Sequence, residues 1–348
     1  MNFYTKQHRY YCGIDLHSKK MYVCILNQQG TVVIHKNIKA MPDQFKELID
    51  PYLEDIVVTA ECMFTWYWLA DFCEDHNIPF VLGHALYMRA IHGGKAKNDK
   101  IDSLKIATLL RGGMLPQAYV YPKKMRSTRD LLRRRTHLNR KKSELMAHVS
   151  NTISQYNLPR LNANLKNKYV RDQTKEMFAD KSVQRAIDMD IGLIDYYGKE
   201  LESVEKYVER TAKHHDYHSV MILQSIPGVG RILSMVILYE IHDINRFESV
   251  QKFASYARLV KCKKESAGKI YGTSGSKIGN AHLRWAFAEA VVLMMREIPE
   301  VKQRIEVLSK KHGKAKAMTI MSHKIGRTVY FMLKRRKFFN LGKFINWT

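Results

Sequence analysis

The chain has 348 residues, 45% of them hydrophobic, enough to bury a sizeable core and more than one domain. Its formal net charge of +25 repels basic partners and attracts polyanions, which leaves nucleic acid or an anionic membrane surface. No apolar run approaches the roughly 20 residues of a bilayer span, and the opening MNFYTKQHRYYCG has no signal-peptide core, so no membrane is expected and nucleic acid is favoured.

The first hundred residues alternate short apolar runs with helical stretches. Tyr10 to Leu16, Met21 to Leu26 and Thr31 to His35 read as three strands, the last two joined by the turn residues Asn27 to Gly30. Phe45 to Tyr52 reads as a helix, and Ile56 to Ala60 as a buried strand, too short and β-branched for a helix. A helix over Trp66 to Cys73 and a strand at Phe80 to Gly83 follow. A meander followed by alternating strands and helices predicts an α/β domain with a mixed sheet, the order of a ribonuclease-H-like domain. The five cysteines (Cys12, Cys24, Cys62, Cys73, Cys262) show no CxxC pairing, which argues against a disulfide framework or a structural zinc site and for a reducing cytosol.

Asp15 directly follows the apolar Tyr-Tyr-Cys-Gly-Ile, where Gly13 leaves space beside the backbone, and Glu61 follows Ile56 to Ala60 in the same way. Asn98-Asp99-Lys100-Ile101-Asp102 opens a helix running through Leu110, so Asp99 and Asp102, three apart, share one face. Taken singly these acids read as turn residues, or as an N-cap (Asp99) with a favourable first-turn charge (Asp102). Gathered together they would repel one another unless a divalent cation joined them. Mg²⁺, which prefers hard oxygens and phosphate, suits that place, with Mn²⁺ as the expected substitute.

From Pro122 the character changes. Lys123 to Lys142 holds ten Lys or Arg against the single acid Asp130, with Leu131, Leu138 and Leu145 at heptad spacing, and so predicts a long basic amphipathic helix. Arg133, Arg134, Arg135 and Lys141 are its candidate nucleic-acid contacts. After Pro159 a second long helix carries Ile187, Ile191, Ile194, Tyr197, Leu201, Val204 and Val208, a seam suited to an antiparallel hairpin within the chain or to an oligomer.

A third, helical and basic region begins near Tyr217 and ends in a Lys-rich tail. Its Ser225-Ile226-Pro227-Gly228-Val229-Gly230 has the form of a helix-hairpin-helix turn, in which Gly228 and Gly230 let backbone N–H groups approach phosphate; a plain turn between packed helices accounts for it equally. Lys264 to Lys269 and Gly272 to Arg284 form a small, flexible, basic block containing Ser266, Ser274, Ser276 and Lys277, helical from Ala281. The ordinary reading of such a block is phosphate contact. A serine hydroxyl among lysines is also a candidate nucleophile toward phosphorus, and a phosphoserine would conserve the phosphodiester energy for rejoining.

GIDLHSKK with Asp15, TAEC with Glu61, and KNDKIDS with Asp99 and Asp102 resemble the DEDD tetrad of the transposases of insertion-sequence family 110. SIPGVG, the serine-glycine segment and SKIGNAHLRWA resemble the C-terminal transposase domain of the same family. The resemblance runs from about Tyr11 to Arg296, with the middle helices matching only in character. It implies a RuvC-like domain over residues 8–120, a helical hairpin or coiled coil over 121–216, a mostly helical domain over 217–335 and a basic tail over 336–348. It also implies Mg²⁺ on Asp15, Glu61, Asp99 and Asp102, and a serine nucleophile. Ser266 is the residue matched to that role, with Ala267 standing between it and Gly268; Ser276 is the second choice and Ser274 the third. Lys264 and Lys269 are candidate charge stabilisers. As partners the resemblance implies donor and target double-stranded DNA, a noncoding bridge RNA and a homo-oligomer, dimer or tetramer, whose site combines the carboxylates of one protomer with the serine of another. The expected location is the prokaryotic cytoplasm, at the nucleoid. Two other readings fit the residues: a Holliday-junction resolvase using water with the same carboxylates, and a non-catalytic nucleic-acid-binding scaffold.

Overall fold

A computed structural model of the chain describes residues 2–91, 98–159, 165–212, 214–274 and 278–345. Its contacts divide it into two compact units, Met1–Lys123 and Lys124–Thr348.

The first unit is built on a five-stranded mixed sheet in the order β3-β2-β1-β4-β5. Strands β1 (Tyr10–Leu16), β2 (Lys20–Asn27) and β3 (Val32–Lys39) form the antiparallel meander, and β4 (Ile56–Glu61) and β5 (Phe80–Gly83) add on parallel to β1. Helices α1 (Pro42–Ile49), α2 (Tyr67–Asp75), α3 (Ala85–Ile91) and α4 (Asp99–Arg111) complete it. The two-residue period of the strands sorts their side chains between two cores. Cys12, Ile14, Leu16, Val58 and Ala60 join Phe45, Ile49, Leu69 and Phe72 on one face. Tyr11 and Val57 join Ile106, Ala107, Leu109 and Leu110 of α4 on the other. Strand β3 runs four residues beyond the predicted His35, because Lys36, Asn37 and Lys39 pair with β2 along an exposed edge where polar side chains suffice.

In the second unit, α5 (Lys123–Gln155) and α7 (Lys181–Ala212), with the short α6 (Lys168–Thr174) between them, form an antiparallel hairpin. Arg135 pairs with Glu205 near one end and His148 with Asp190 near the other. Ile187, Ile191 and Ile194 are spent inside the chain against Val149 and Ile153. A second stripe on α7 (Met189, Leu193, Tyr196 and Tyr207) stays exposed.

The rest is helical: α8 (Tyr217–Gln224), α9 (Arg231–Ile241), α10 (Val250–Tyr256), α11 (Ala281–Glu297), α12 (Pro299–His312), α13 (Lys314–Arg335) and α14 (Leu341–Ile345). They enclose one large core that includes Ile237, Tyr239, Phe253, Phe287, Ala290 and Val329. Even the basic C-terminal stretch contributes, since Phe344 is buried and the Phe339 N–H donates to Ser225 Oγ at 2.8 Å.

One expectation is corrected. The block containing Ser266 is not simply a flexible loop but carries a β-hairpin, β6 (Cys262–Ser266) against β7 (Lys269–Ser274). Its two-residue turn, Ala267-Gly268, has positive φ at both positions (50° and 74°), the geometry that matches the twist of paired strands. Among the described residues, no helix is long and apolar enough to cross a membrane.

Candidate active site

Register sets Asp15 and Glu61 near the ends of two neighbouring strands. Strands β1 and β4 are parallel neighbours with Gly13 opposite Thr59 and Ile14 opposite Ala60, so the next step on each strand is an acid. By the alternation of side chains, Asp15 and Glu61 share the face that Gly13 presents to α4. Gly13 permits the helix to lie there: a Cβ on it would sit 2.2 Å from Ala107 N and 2.7 Å from Ser103 O. No L side chain fits between them.

The start of α4 is held from two directions. Asn98 caps it, accepting a hydrogen bond from Lys100 N–H at 2.8 Å. The cap therefore needs nothing from Asp99, whose carboxylate is left for another purpose. His35 on β3 donates through Nε2 to Lys100 O at 2.9 Å, and the buried Ser103 hydroxyl donates to the same carbonyl at 2.9 Å.

This packing brings Asp15 and Asp99 together around His17, whose Nε2 lies 3.3 Å from Asp15 Oδ2 and 3.6 Å from Asp99 Oδ1. One ligand atom from each of the three falls within 4.8 Å of the others. Burial lifts the Asp15 carboxyl above its ordinary range; His17 opposes the lift, and Asp99 and Asp102 add to it. Asp102 has a cation of its own, Lys105 Nζ at 3.5 Å. Hard oxygen donors in mutual repulsion fit a divalent cation, which would relieve the strain among the charges. His17 lies within GIDLHSKK, where the sequence alone assigns it no part. Its signal was the strand period, which sets residue 17 beside residue 15.

Ser266 belongs to the second unit. It is exposed at the end of β6, directly opposite Lys269 across the hairpin turn. Lys264 pairs through its backbone with Gly272, and Ser274 with Cys262; their side chains, and the whole of Ser276 and Lys277, lie outside the described residues.

Sequence reasoning also missed the root of this hairpin. Asn280 N–H donates to Tyr256 O at 2.6 Å, and Arg258 Nε donates to Gly279 O at 2.8 Å, stitching the departing and returning chain together. Asn280 Oδ1 caps α11, accepting from His282 and Leu283 N–H, while its Nδ2 donates to the buried Glu240 at 2.7 Å. Glu240 receives Arg133 as a two-pronged partner, with Nε to Oε1 at 2.6 Å and Nη2 to Oε2 at 2.7 Å. Burial alone would raise the Glu240 carboxyl, but the hydrogen bonds from Arg133 and Asn280 and the Arg133 charge outweigh it and hold it below its ordinary range.

A group held low when folded stabilises the protein above its unfolded value, about 4.3 for Glu, and that stability is lost as pH falls through the folded value. Thermal denaturation should therefore show an acid limb that Glu240→Gln flattens. Glu240→Ala, which strands the Arg133 fork and Asn280, should cost about 3 kcal/mol at neutral pH.

The other basic and glycine candidates divide. Arg133 and Arg135 are committed to Glu240 and Glu205, and Lys141 to Glu144 at 2.7 Å, whereas Arg134 is exposed. Gly228, with φ +80°, lies against the α11 backbone, where a Cβ would meet Met294 N at 2.7 Å; close packing explains that glycine. Gly230 is the exposed N-cap of α9, with open space around it.

Both stretches match known transposase sequences. Residues 12–158 match a transposase family model, the DEDD transposase of IS110, and residues 220–306 match the model of the Transposase IS116/IS110/IS902 family. The chain is similar to the transposase for insertion sequence element IS1111A of Coxiella burnetii (strain RSA 493 / Nine Mile phase I). The two are 20% identical over 340 residues, which cover 95% of this chain and 91% of that relative. The first match contains the four acids, and the second contains SIPGVG, Ser266 and the Asn280 cap.

Proposed function

We propose that the chain, which matches IS110-type transposase models over residues 12–158 and 220–306, is a transposase of that kind and cuts and rejoins DNA through a covalent serine–DNA intermediate. Asp15, Glu61, Asp99 and Asp102 hold Mg²⁺, for which Mn²⁺ can stand in. When bound, such an ion polarises the phosphate oxygens and stabilises the leaving oxygen. The observation that carries the reading is the approach of Asp15 and Asp99 at the end of β1, on the sheet face that Glu61 shares.

The protein's own part is a transesterification. Ser266 Oγ loses its proton and bonds to the scissile phosphorus as the bond from phosphorus to a deoxyribose oxygen breaks. That oxygen leaves as a hydroxyl, and the phosphoserine keeps the diester. A hydroxyl from a second strand then attacks the same phosphorus, and Ser266 leaves with its proton restored. Each step exchanges one P–O bond for another, so rejoining needs no nucleotide cofactor. Lys269, opposite Ser266, lies where a cation can stabilise the developing charge.

The substrates are donor and target double-stranded DNA, and a noncoding bridge RNA pairs with both. The net charge of +25 suits two polyanionic partners. The protein works as a homo-oligomer whose carboxylates act with the serine of another protomer, in the prokaryotic cytoplasm at the nucleoid. Met189, Leu193, Tyr196 and Tyr207 on the outer face of α7 support self-association.

Trapping on a nicked DNA substrate tests the chemistry. The wild-type chain should yield a denaturant-resistant DNA adduct whose peptide maps to Ser266. Ser266→Ala should lose the adduct and retain metal binding. Cleavage without any adduct would mean hydrolysis by water, and an adduct on Ser276 would move the nucleophile.

A further inference from the structure

The four carboxylates leave one neighbour without a part. His17 stands one residue past β1, on the side of Asp15, and its backbone N–H donates to Lys20 O at 3.0 Å, which fixes the turn that presents it. Its imidazole is about half exposed, and Nε2 faces both Asp15 and Asp99. Octahedral coordination at about 2.1 Å separates adjacent ligand atoms by about 3 Å and opposite ones by about 4.2 Å. Contacts of 3.3 and 3.6 Å, in a group spanning at most 4.8 Å, need only a small contraction to meet those separations.

An imidazole nitrogen changes what such a site prefers. Mg²⁺ takes oxygen almost exclusively and keeps its waters, whereas first-row transition ions accept nitrogen readily. We infer that His17 is a nitrogen ligand to the divalent ion held by Asp15 and Asp99, and that it makes the site favour Mn²⁺ over Mg²⁺. The inference rests on the carboxylate site proposed above and adds to it a fifth protein ligand and a metal preference. Mg²⁺ still supports the reaction when abundant; Mn²⁺ binds more tightly because it gains the Nε2 bond.

Mn²⁺ titrated into the full-length protein, followed by electron paramagnetic resonance, separates the two claims. The wild-type chain should bind Mn²⁺ with a ¹⁴N modulation in the electron spin echo. His17→Ala should lose that modulation and bind Mn²⁺ about tenfold more weakly, with Mg²⁺ competition shifted less than twofold. His17 is exposed and outside the core, so circular dichroism of this variant should match the wild type. His17→Gln, whose amide oxygen can reach the Nε2 position, should keep Mg²⁺ binding within twofold of the wild type and lack the imidazole nitrogen signal. Bound Mn²⁺ lacking ¹⁴N modulation, or an Mn²⁺ to Mg²⁺ ratio unchanged by His17→Ala, would overturn the inference and leave the carboxylate site standing. Mn²⁺ uptake unaffected by both Asp15→Asn and Asp99→Asn, or no uptake by the wild type, would overturn the site itself and the inference with it.

Discussion

Asp15→Asn should reduce DNA strand cleavage by at least about 10³-fold, a loss of roughly 4 kcal/mol of transition-state stabilisation. Asparagine has nearly the shape of aspartate, so β1 keeps its pairing with β2 and β4 and the α4 contact survives. What goes is a charge at a largely buried point, less exposed than Asp99 or Asp102. Asp15 is the carboxylate whose affinity for a proton is raised by burial and by Asp99 and Asp102, and a divalent ion would relieve that cost most there. Removing the charge should weaken metal binding and leave DNA binding by the basic second unit unaffected. Unchanged thermal stability and DNA affinity alongside lost cleavage would separate the chemical role from a folding role. Full cleavage by the variant would contradict the account.

Gly13→Ala should be the most damaging single methyl group that can be added to the first unit. The new Cβ would lie 2.2 Å from Ala107 N and 2.7 Å from both Ala107 Cα and Ser103 O. These are backbone atoms of a helix, so no side-chain rotation relieves the overlap, and α4 must move off the sheet. Overpacking of well-packed cores costs about 1–3 kcal/mol, and a clash with main chain belongs at or above the top of that range. Displacing α4 also carries Asp99 and Asp102 away from Asp15, so cleavage and divalent-ion binding should fall together with stability. Thermal denaturation and an Mn²⁺ titration on the same sample would check this. A variant as stable as the wild type with intact Mn²⁺ affinity would show that α4 does not need that close approach.

Much of the first unit was legible because its strands are short apolar runs separated by turn residues, and each of the runs ending near Asp15 and Glu61 carries its acid at the C-terminal end of a parallel neighbour. The opening of α4 at Asn98-Asp99 was legible as a helix start with acids in its first turn, but the cap is Asn98 and not Asp99, to which the sequence also allowed that part. Long-range geometry was not. His17 gains meaning only when α4 lays Asp99 beside it, 82 positions later in the chain than His17. The β6–β7 hairpin hid behind lysine, serine and glycine, which carry little strand signal, and its turn uses Ala267 where Asn is favoured. Arg133 in a run of three arginines reads as a phosphate contact. Its pairing with the buried Glu240 depends on α9 packing beside α5, which no local pattern announces. The seam of α7 left two outcomes open, and the antiparallel return of the chain uses Ile187, Ile191 and Ile194 internally.

Crystals of the chain bound to DNA, soaked in Mn²⁺ and measured at the manganese absorption edge, would test the gathering of the acids most directly. An anomalous peak bounded by carboxylate oxygens of Asp15, Glu61, Asp99 and Asp102 is the predicted result. A peak elsewhere, with those four side chains directed away from it, would contradict the account.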